Sequence, residues 1–222
     1  MVKIIIYGTT QFSIMLHKLV KREKVAEVVA YTINEKYMQN NAEHVQLEGL
    51  PVIAFEQLND VYPPSKYKIL NTIGYTKMNN LRKDKTEECL KKGYEMYSFV
   101  SKDATVFSEI NNNNANIVLP GAMIGYDVNL GKNNVVYTSC VLTHDINVGN
   151  NTFLAAGCTV GGNVSIGNNC FIGMNSTIKN RINIADYTLI GASTYISKDT
   201  EKYGVYVPER SIKLEKFSID IW

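Results

Sequence analysis

From Val118 to Ile196 an aliphatic residue stands at every sixth position: Val118, Ile124, Leu130, Val136, Leu142, Val148, Leu154, Val160, Ile166, Ile172, Ile178, Ile184, Ile190 and Ile196. Glycine often follows it, as at Gly125, Gly131, Gly161 and Gly173, and the position four further on is mostly small or β-branched, as at Ala122, Cys140, Thr152 and Cys170. An amphipathic helix repeats at about 3.6 residues and a half-buried strand at about two. Neither accounts for a period of six. A fixed short period marks a solenoid, and a hexapeptide period marks a parallel β-helix. Three hexads make one coil of three short strands, so residues eighteen apart stack. The aliphatic side chain points inward, the small residue fills a corner, and glycine relieves the backbone at the bend.

If the aliphatic residues point in, their predecessors point out and separate by face. Ile117, Val135, Phe153, Phe171 and Leu189 form an apolar stripe. Asn129, Asn147, Ser165 and Asn183 form a polar one, and Met123, Val141, Thr159, Thr177 and Tyr195 a mixed one. A contiguous apolar stripe on an exterior marks an interface or a ligand groove. The expectation is a homo-oligomer packed through Phe153 and Phe171, with cover by the N-terminal region or the C-terminal tail as the alternative.

Residues 1–100 read differently. Lys3–Tyr7 is a β-branched run, Gly8–Thr10 a tight turn, and Phe12, Met15, Leu16, Leu19 and Val20 recur at helical spacing. Strands are expected over Val25–Thr32, near Val52–Phe55 and over Tyr67–Ile73, and a charged helix over Asn80–Lys92, stopped by Gly93. Alternation of this kind predicts a small α/β unit with a parallel sheet. Residues 101–117 form a transition with an irregular loop at Asn111–Asn114, and residues 101–208 the β-helix domain. Residues 209–222 are a tail whose Ile219, Ile221 and Trp222 are apolar enough to dock, and a strand is expected before it at Val205–Pro208.

Gly8 invites a dinucleotide-fold reading, but Thr10 and Ser13 stand where G-x-G-x-x-G needs glycine, and no acid closes the second strand. A nicotinamide cofactor is rejected. A phosphate or uracil-sized ligand at the helix N-terminus beside Gly8–Thr10 and a plain capped turn both remain open.

With 23 Lys and Arg against 21 Asp and Glu, the net charge of +2 gives no reason to invoke nucleic acid or an anionic membrane. No run approaches the roughly 18 apolar residues of a membrane span, and no targeting signal is seen. Cys140, Cys158 and Cys170 fall at inward positions and Cys89 in a helix, which reads as reduced thiols in a cytoplasmic protein. Their spacing fits no zinc motif, so no metal is expected.

Of three histidines, His17 and His44 have no neighbourhood that suggests chemistry. His144 lies two places after Leu142, at a turn of the coil, with Asp145 next and Gly162 one coil on. A position without a side chain beside an imidazole leaves room for a ligand, although the residue types alone favour a solvated surface histidine over a catalytic one.

The hexads, the α/β unit before them and the run Thr138–Ser139 through Val141 to His144–Asp145 resemble the hexapeptide-repeat acyltransferases, in particular bacterial sugar N-acetyltransferases of the PglD type. The resemblance covers nearly the whole chain. It implies an α/β N-terminal Rossmann-like domain followed by an all-β left-handed parallel β-helix, in a homotrimer. It further implies acetyl-CoA-dependent N-acetylation of a nucleotide-linked amino sugar in surface-glycan biosynthesis. His144 would be the general base, Asp145 would fix its tautomer, and Gly162 would offer a backbone donor to the thioester oxygen. Acetyl-CoA would lie near Phe153, Met174 and Ala192. Gly8, Thr9, Thr10, Thr32 and Gly74 would hold the nucleotide-sugar. Phe153 stands where the best-known members have a second histidine. O-acetylation of a sugar and a non-catalytic β-helix scaffold are the rival readings. A thiol-based ping-pong transferase is disfavoured, because the cysteines point inward.

Overall fold

The computed structural model describes residues 1–38, 46–213, 215 and 219, which leaves His44, Ile221 and Trp222 outside the described residues. The N-terminal unit contains β1 (Lys3–Tyr7), α1 (Gln11–Glu23), β2 (Glu27–Ile33), β3 (Gln46–Leu47), β4 (Leu50–Ala54), α2 (Leu58–Val61), β5 (Lys68–Asn71), α3 (Asn80–Lys91) and β6 (Glu95–Met96). Its sheet runs β3-β4-β2-β1-β5-β6, parallel throughout except for the β3–β4 hairpin. The order reverses between β1 and β5. Such a switch point opens a crevice beyond the strand ends, here at Gly8 and Thr72–Gly74.

Beyond residue 98 the chain winds into a three-faced prism of two-residue strands, one per hexad. The registers are those expected of the repeat. Ile117, Val135, Phe153, Phe171 and Leu189 pair in sequence on the first face, Met123 to Tyr195 on the second, and Asn129 to Asn183 on the third. The aliphatic residue of each strand is buried in one continuous core with Cys140, Cys158 and Cys170 at its corners. Turn residues such as Asp127, Asp145, Asn163 and Asn175 have φ between 53° and 59°. Asn and Asp tolerate this left-handed region best, and the Asn-rich composition of the repeat follows from it.

The paired strands begin a coil before Val118, where the regular count of sixes starts. Phe99–Val100 pairs with Ile117–Val118, and Thr105–Val106 with Met123–Ile124. The count of sixes breaks at Asn112, in the Asn111–Asn114 loop that stands in for the third strand of this coil; Asn112 there uses its carbonyl to hold the Ser98 N–H at 2.8 Å. At the other end Val205–Tyr206 extends the first face beside Leu189–Ile190.

The apolar stripe requires a correction. It is not a free surface for another subunit, because the N-terminal unit of the same chain covers it. Ile117, Val135 and Phe153 share a core with Ile4, Ile6, Leu16 and Val20, so α1 lies between its own sheet and the first face. Tyr75 packs on Phe153 and Phe171 at centroid distances of 5.2 and 4.8 Å, and Phe12 stacks on Tyr137. Two polar clamps fix this contact. The fully buried Arg82 donates to the carbonyls of Gly74, Asn133 and Asn151 and to Asn79 Oδ1. Burial lowers its pKa, and these acceptors are what holds a cation there. At the far end of α1, the carboxylate of the buried Glu23 accepts from Ser101 Oγ at 2.7 Å and from the Lys102 N–H at 2.8 Å.

Candidate functional site

Each edge of the prism has its own chemistry. The edge between the third and first faces carries stacked amides. Asn150 Oδ1 accepts from the Lys132 N–H, Asn168 Oδ1 from the Asn150 N–H, and Asp186 Oδ1 from the Asn168 N–H, each at 2.7–2.8 Å. Just inside it, Asn134 Oδ1 accepts from the Thr152 N–H and Asn134 Nδ2 donates to the Gly149 carbonyl. These ladders satisfy turn backbone that would otherwise be buried unpaired. They are structural.

The edge between the second and third faces carries His144. The turn after Val141–Leu142 presents the imidazole outward, and His144 Nδ1 lies 2.7 Å from Asp145 Oδ2 with both side chains more than half exposed. That bond places the Nδ1 proton toward the carboxylate and leaves Nε2 with its lone pair free. Gly162 lies against the ring. A Cβ built there would sit 2.4 Å from His144 Cε1 and 2.6 Å from Nε2, so any side chain at 162 displaces the imidazole. Above the histidine the edge turns basic, with exposed Lys179, Arg181 and Lys198.

The edge between the first and second faces borders a second candidate region. Thr10, Gly74, Tyr75, Tyr137, Phe153 and Met174 line a cavity of about 520 Å³ between the N-terminal unit and the prism. The structure thus brings together Thr10 and Gly74, expected for the nucleotide-sugar, with Phe153 and Met174, expected for acetyl-CoA. Phe153 is 6% exposed and forms the base of this cavity rather than a free groove. Ala192, exposed, lies one coil above Met174 on the same edge. Gly162 and His144 occupy a different edge of the same chain.

The remaining expected residues are dispersed. Thr9 lines a separate cavity of about 300 Å³ with Ile33, Tyr37 and Val52. Thr32 is fully buried, and its hydroxyl donates to the Ile53 carbonyl while its own carbonyl accepts from the Gly8 N–H. Its hydroxyl is thus engaged within the sheet. Gly8 has φ +124°, and a Cβ there would meet Thr72 Oγ1 at 2.7 Å and Ser13 Oγ at 2.9 Å. Those hydroxyls are 2.7 Å apart, and Ser13 Oγ also accepts from the Thr10 N–H. The turn is glycine for packing, and the helix start is partly capped by its own serine. Asn34, at the end of β2, accepts from Tyr7 Oη and donates to Glu56, each at 2.8 Å.

Tyr75, Tyr137 and Arg82 escaped the sequence reading. Tyr137 sits at a repeat corner and was open to notice; Tyr75 and Arg82 matter only through the docking of the two units. The thiols are poor nucleophiles. The contact with Cys158 and burial push Cys140 up, and burial pushes Cys170 up to about 11.

Residues 145–180 and 163–198 match the family model described as "Bacterial transferase hexapeptide (six repeats)". No curated protein sequence matches the chain. Among solved structures, the acetyltransferase domain of PglB from Neisseria gonorrhoeae is similar over 93% of this chain and 96% of its own, at 20% identity and a TM-score of 0.80; it has also been solved with acetyl coenzyme A. A histidine-to-asparagine variant of perosamine N-acetyltransferase from Caulobacter crescentus, in complex with CoA and GDP-perosamine, is similar over 93% of both chains at 18% identity and a TM-score of 0.81. WeeI from Acinetobacter baumannii is similar over 94% of this chain and 97% of its own, at 13% identity and 0.64. The chain has the fold of the hexapeptide-repeat sugar acetyltransferases: an α/β N-terminal unit docked on a left-handed parallel β-helix. Among the described residues no helix is long and apolar enough to cross a membrane.

Proposed function

We propose that the chain is an acetyl-CoA-dependent N-acetyltransferase acting on a nucleotide-linked amino sugar in surface-glycan biosynthesis. The observation that carries this reading is the His144–Asp145 pair set against Gly162 on an exposed edge of a hexapeptide β-helix. Of the three similar solved structures described above, two are acetyltransferases, one of them solved with CoA and a nucleotide-linked amino sugar.

Acetyl-CoA, when bound, supplies an acyl group activated as a thioester. The basic run Lys179, Arg181 and Lys198 above His144 suits its phosphates, and the bare Gly162 lets the imidazole lie against the coil that would carry the acyl end. His144 Nε2 takes the proton that the sugar amine loses as its nitrogen bonds to the acyl carbon. Asp145 keeps the Nδ1 proton in place and stabilises the imidazolium. The same proton then goes to the departing sulfur, so the products are an N-acetyl sugar and free CoA thiol. The Gly162 N–H is the donor proposed for the carbonyl oxygen as charge develops there.

His144 and the Thr10–Gly74–Met174 cavity lie on different edges of one prism, so a single chain does not bring them face to face. The third face is polar and the first is covered, which leaves the second, with Met123, Val141 and Tyr195, as the face for self-association. A homotrimer through it would set the His144 edge of one subunit against the cavity of the next. Acetyl-CoA would then lie between them, near Met174 and Ala192, with the nucleotide-sugar entering from the Gly8–Thr10 and Gly74 side.

The test is thiol release from acetyl-CoA with a panel of UDP-, dTDP- and GDP-linked amino sugars, with His144→Ala alongside. Turnover of an amino sugar that is lost in the variant supports the reading. Undiminished turnover in the variant removes His144 as base, and turnover only with a hydroxyl acceptor moves the assignment to O-transfer.

A further inference from the structure

Directly below His144, on the same edge, is a feature that the transfer chemistry leaves unused. Tyr126 stands one coil back, and its carbonyl accepts the Asp145 N–H at 3.0 Å. Its ring stacks on Phe107 with centroids 4.8 Å apart and planes at 23°. The two residues are 64% and 48% exposed, so a flat aromatic surface faces water. They belong to a cavity of about 720 Å³ whose polar lining includes Ser108, Glu109, Asp127 and Asn129, and which no Lys or Arg lines.

The combination is selective. A nucleotide diphosphate is repelled by Glu109 and Asp127, and a purely apolar ligand has no use for them. A pyranose fits both parts. Its C–H face lies flat on an aromatic ring, and its equatorial hydroxyls donate to carboxylate and amide oxygens. The position fits as well. Adjacent coils are about 4.8 Å apart, so a ring resting on Tyr126 has a substituent within reach of His144 Nε2. The phosphates would remain at the basic and N-terminal-unit sides.

We propose that Tyr126 and Phe107 are the shelf on which the sugar ring of the acceptor rests, with Asp127 and Glu109 accepting from its hydroxyls. This rests on the transferase reading and adds its acceptor subsite. Tyr126 and Asp127 are thus specificity-determining residues rather than catalytic ones.

The experiment is steady-state kinetics of the full chain with the amino sugar that wild type turns over, and with a small amine lacking a sugar ring. Variants are Tyr126→Ala, Tyr126→Phe and Asp127→Asn; the last keeps a residue that tolerates φ near 54°. Expected are an acceptor KM raised about tenfold in Tyr126→Ala and severalfold in Asp127→Asn, and an almost unchanged KM in Tyr126→Phe. The KM for acetyl-CoA and the turnover of the ringless amine should stay within about twofold of wild type, which separates lost recognition from a damaged fold. An active wild type whose acceptor KM is unmoved in both Tyr126→Ala and Asp127→Asn overturns the shelf alone. So does a Tyr126→Ala chain that changes its oligomeric state on sedimentation, because the rings then cover a subunit contact. A wild type silent with every amino sugar overturns the N-acetyltransferase reading, and the shelf, which rests on it, falls with it.

Discussion

At the scale of the residue, His144 is held by two neighbours that do different things. Asp145 Oδ2 lies 2.7 Å from His144 Nδ1, and Gly162 leaves the space that the ring occupies. Removing the imidazole in His144→Ala should lower kcat by about 10²–10⁴ with the KM for acetyl-CoA little changed. Gly162→Ala is the sharper probe, because every side chain of the pair survives. The added methyl must push the ring aside, and a displacement near 1 Å should cost about 10² in kcat, with an unchanged circular dichroism spectrum. His17 offers a contrasting prediction. Burial lowers its pKa, against Glu48 and with Lys21 and Lys18, and Tyr31 Oη lies 2.6 Å from its Nδ1. The folded chain therefore keeps this ring neutral where the unfolded chain protonates it. Stability should fall as pH drops below about 6.5 and level off below the folded pKa. The melting temperature of His17→Gln should show a shallower acid-side decline. The His144–Asp145–Gly162 group was legible in the sequence because an eighteen-residue stack follows from the period alone. The hydrogen bond from the Thr32 hydroxyl to the Ile53 carbonyl was not legible, because only the pairing of β2 with β4 creates it.

At the scale of the element, strands of two residues hold because their turns are bonded to one another. Asn134→Ala removes one rung, leaving the Thr152 N–H and the Gly149 carbonyl without their partners. It should cost about 1–3 kcal/mol in chemical denaturation. Arg82 clamps α3 to the amide edge through several acceptors. Arg82→Ala should destabilise the chain by about 3 kcal/mol or more, and Arg82→Lys should not rescue it, since an ammonium cannot reproduce the planar fork. Strand and helix positions in the N-terminal unit agreed with the sequence to within a few residues, because each element carries its own periodicity. The extra coil at Phe99 did not announce itself, because the Asn112 loop hides the phase. Nor did the clamps, since a long-range ion or amide contact leaves no local pattern.

At the scale of the whole molecule, one face is covered by the chain's own N-terminal unit, one is polar, and one remains for association. A charge pair placed there, Val141→Glu with Tyr195→Glu, should shift the sedimentation of the proposed trimer toward monomer. It should abolish transfer while leaving the far-ultraviolet spectrum intact, because His144 and the Thr10–Met174 cavity then have no partner. The sequence pointed to Phe153 and Phe171 as a surface for another subunit, with cover by the N-terminal region as the alternative, and it is the N-terminal region that covers them. Phe153 and Phe171 are equally good evidence for an intrachain contact, and period alone does not say which surface a neighbour takes. The prism itself is a stack in which each coil touches only the next, so its ends are free to fray. The N-terminal unit does not cap an end. It is bolted along the side, with Arg82 on Asn133 and Asn151, and Asn79 on Cys170. Those coils include the ones that carry His144 and Gly162. Amide hydrogens there should exchange with solvent only when the entire chain opens, whereas those beyond Ile190 should exchange through local opening. The N-terminal unit is in this sense a splint, and the working edge keeps its shape because a separate body is fastened across the coils behind it.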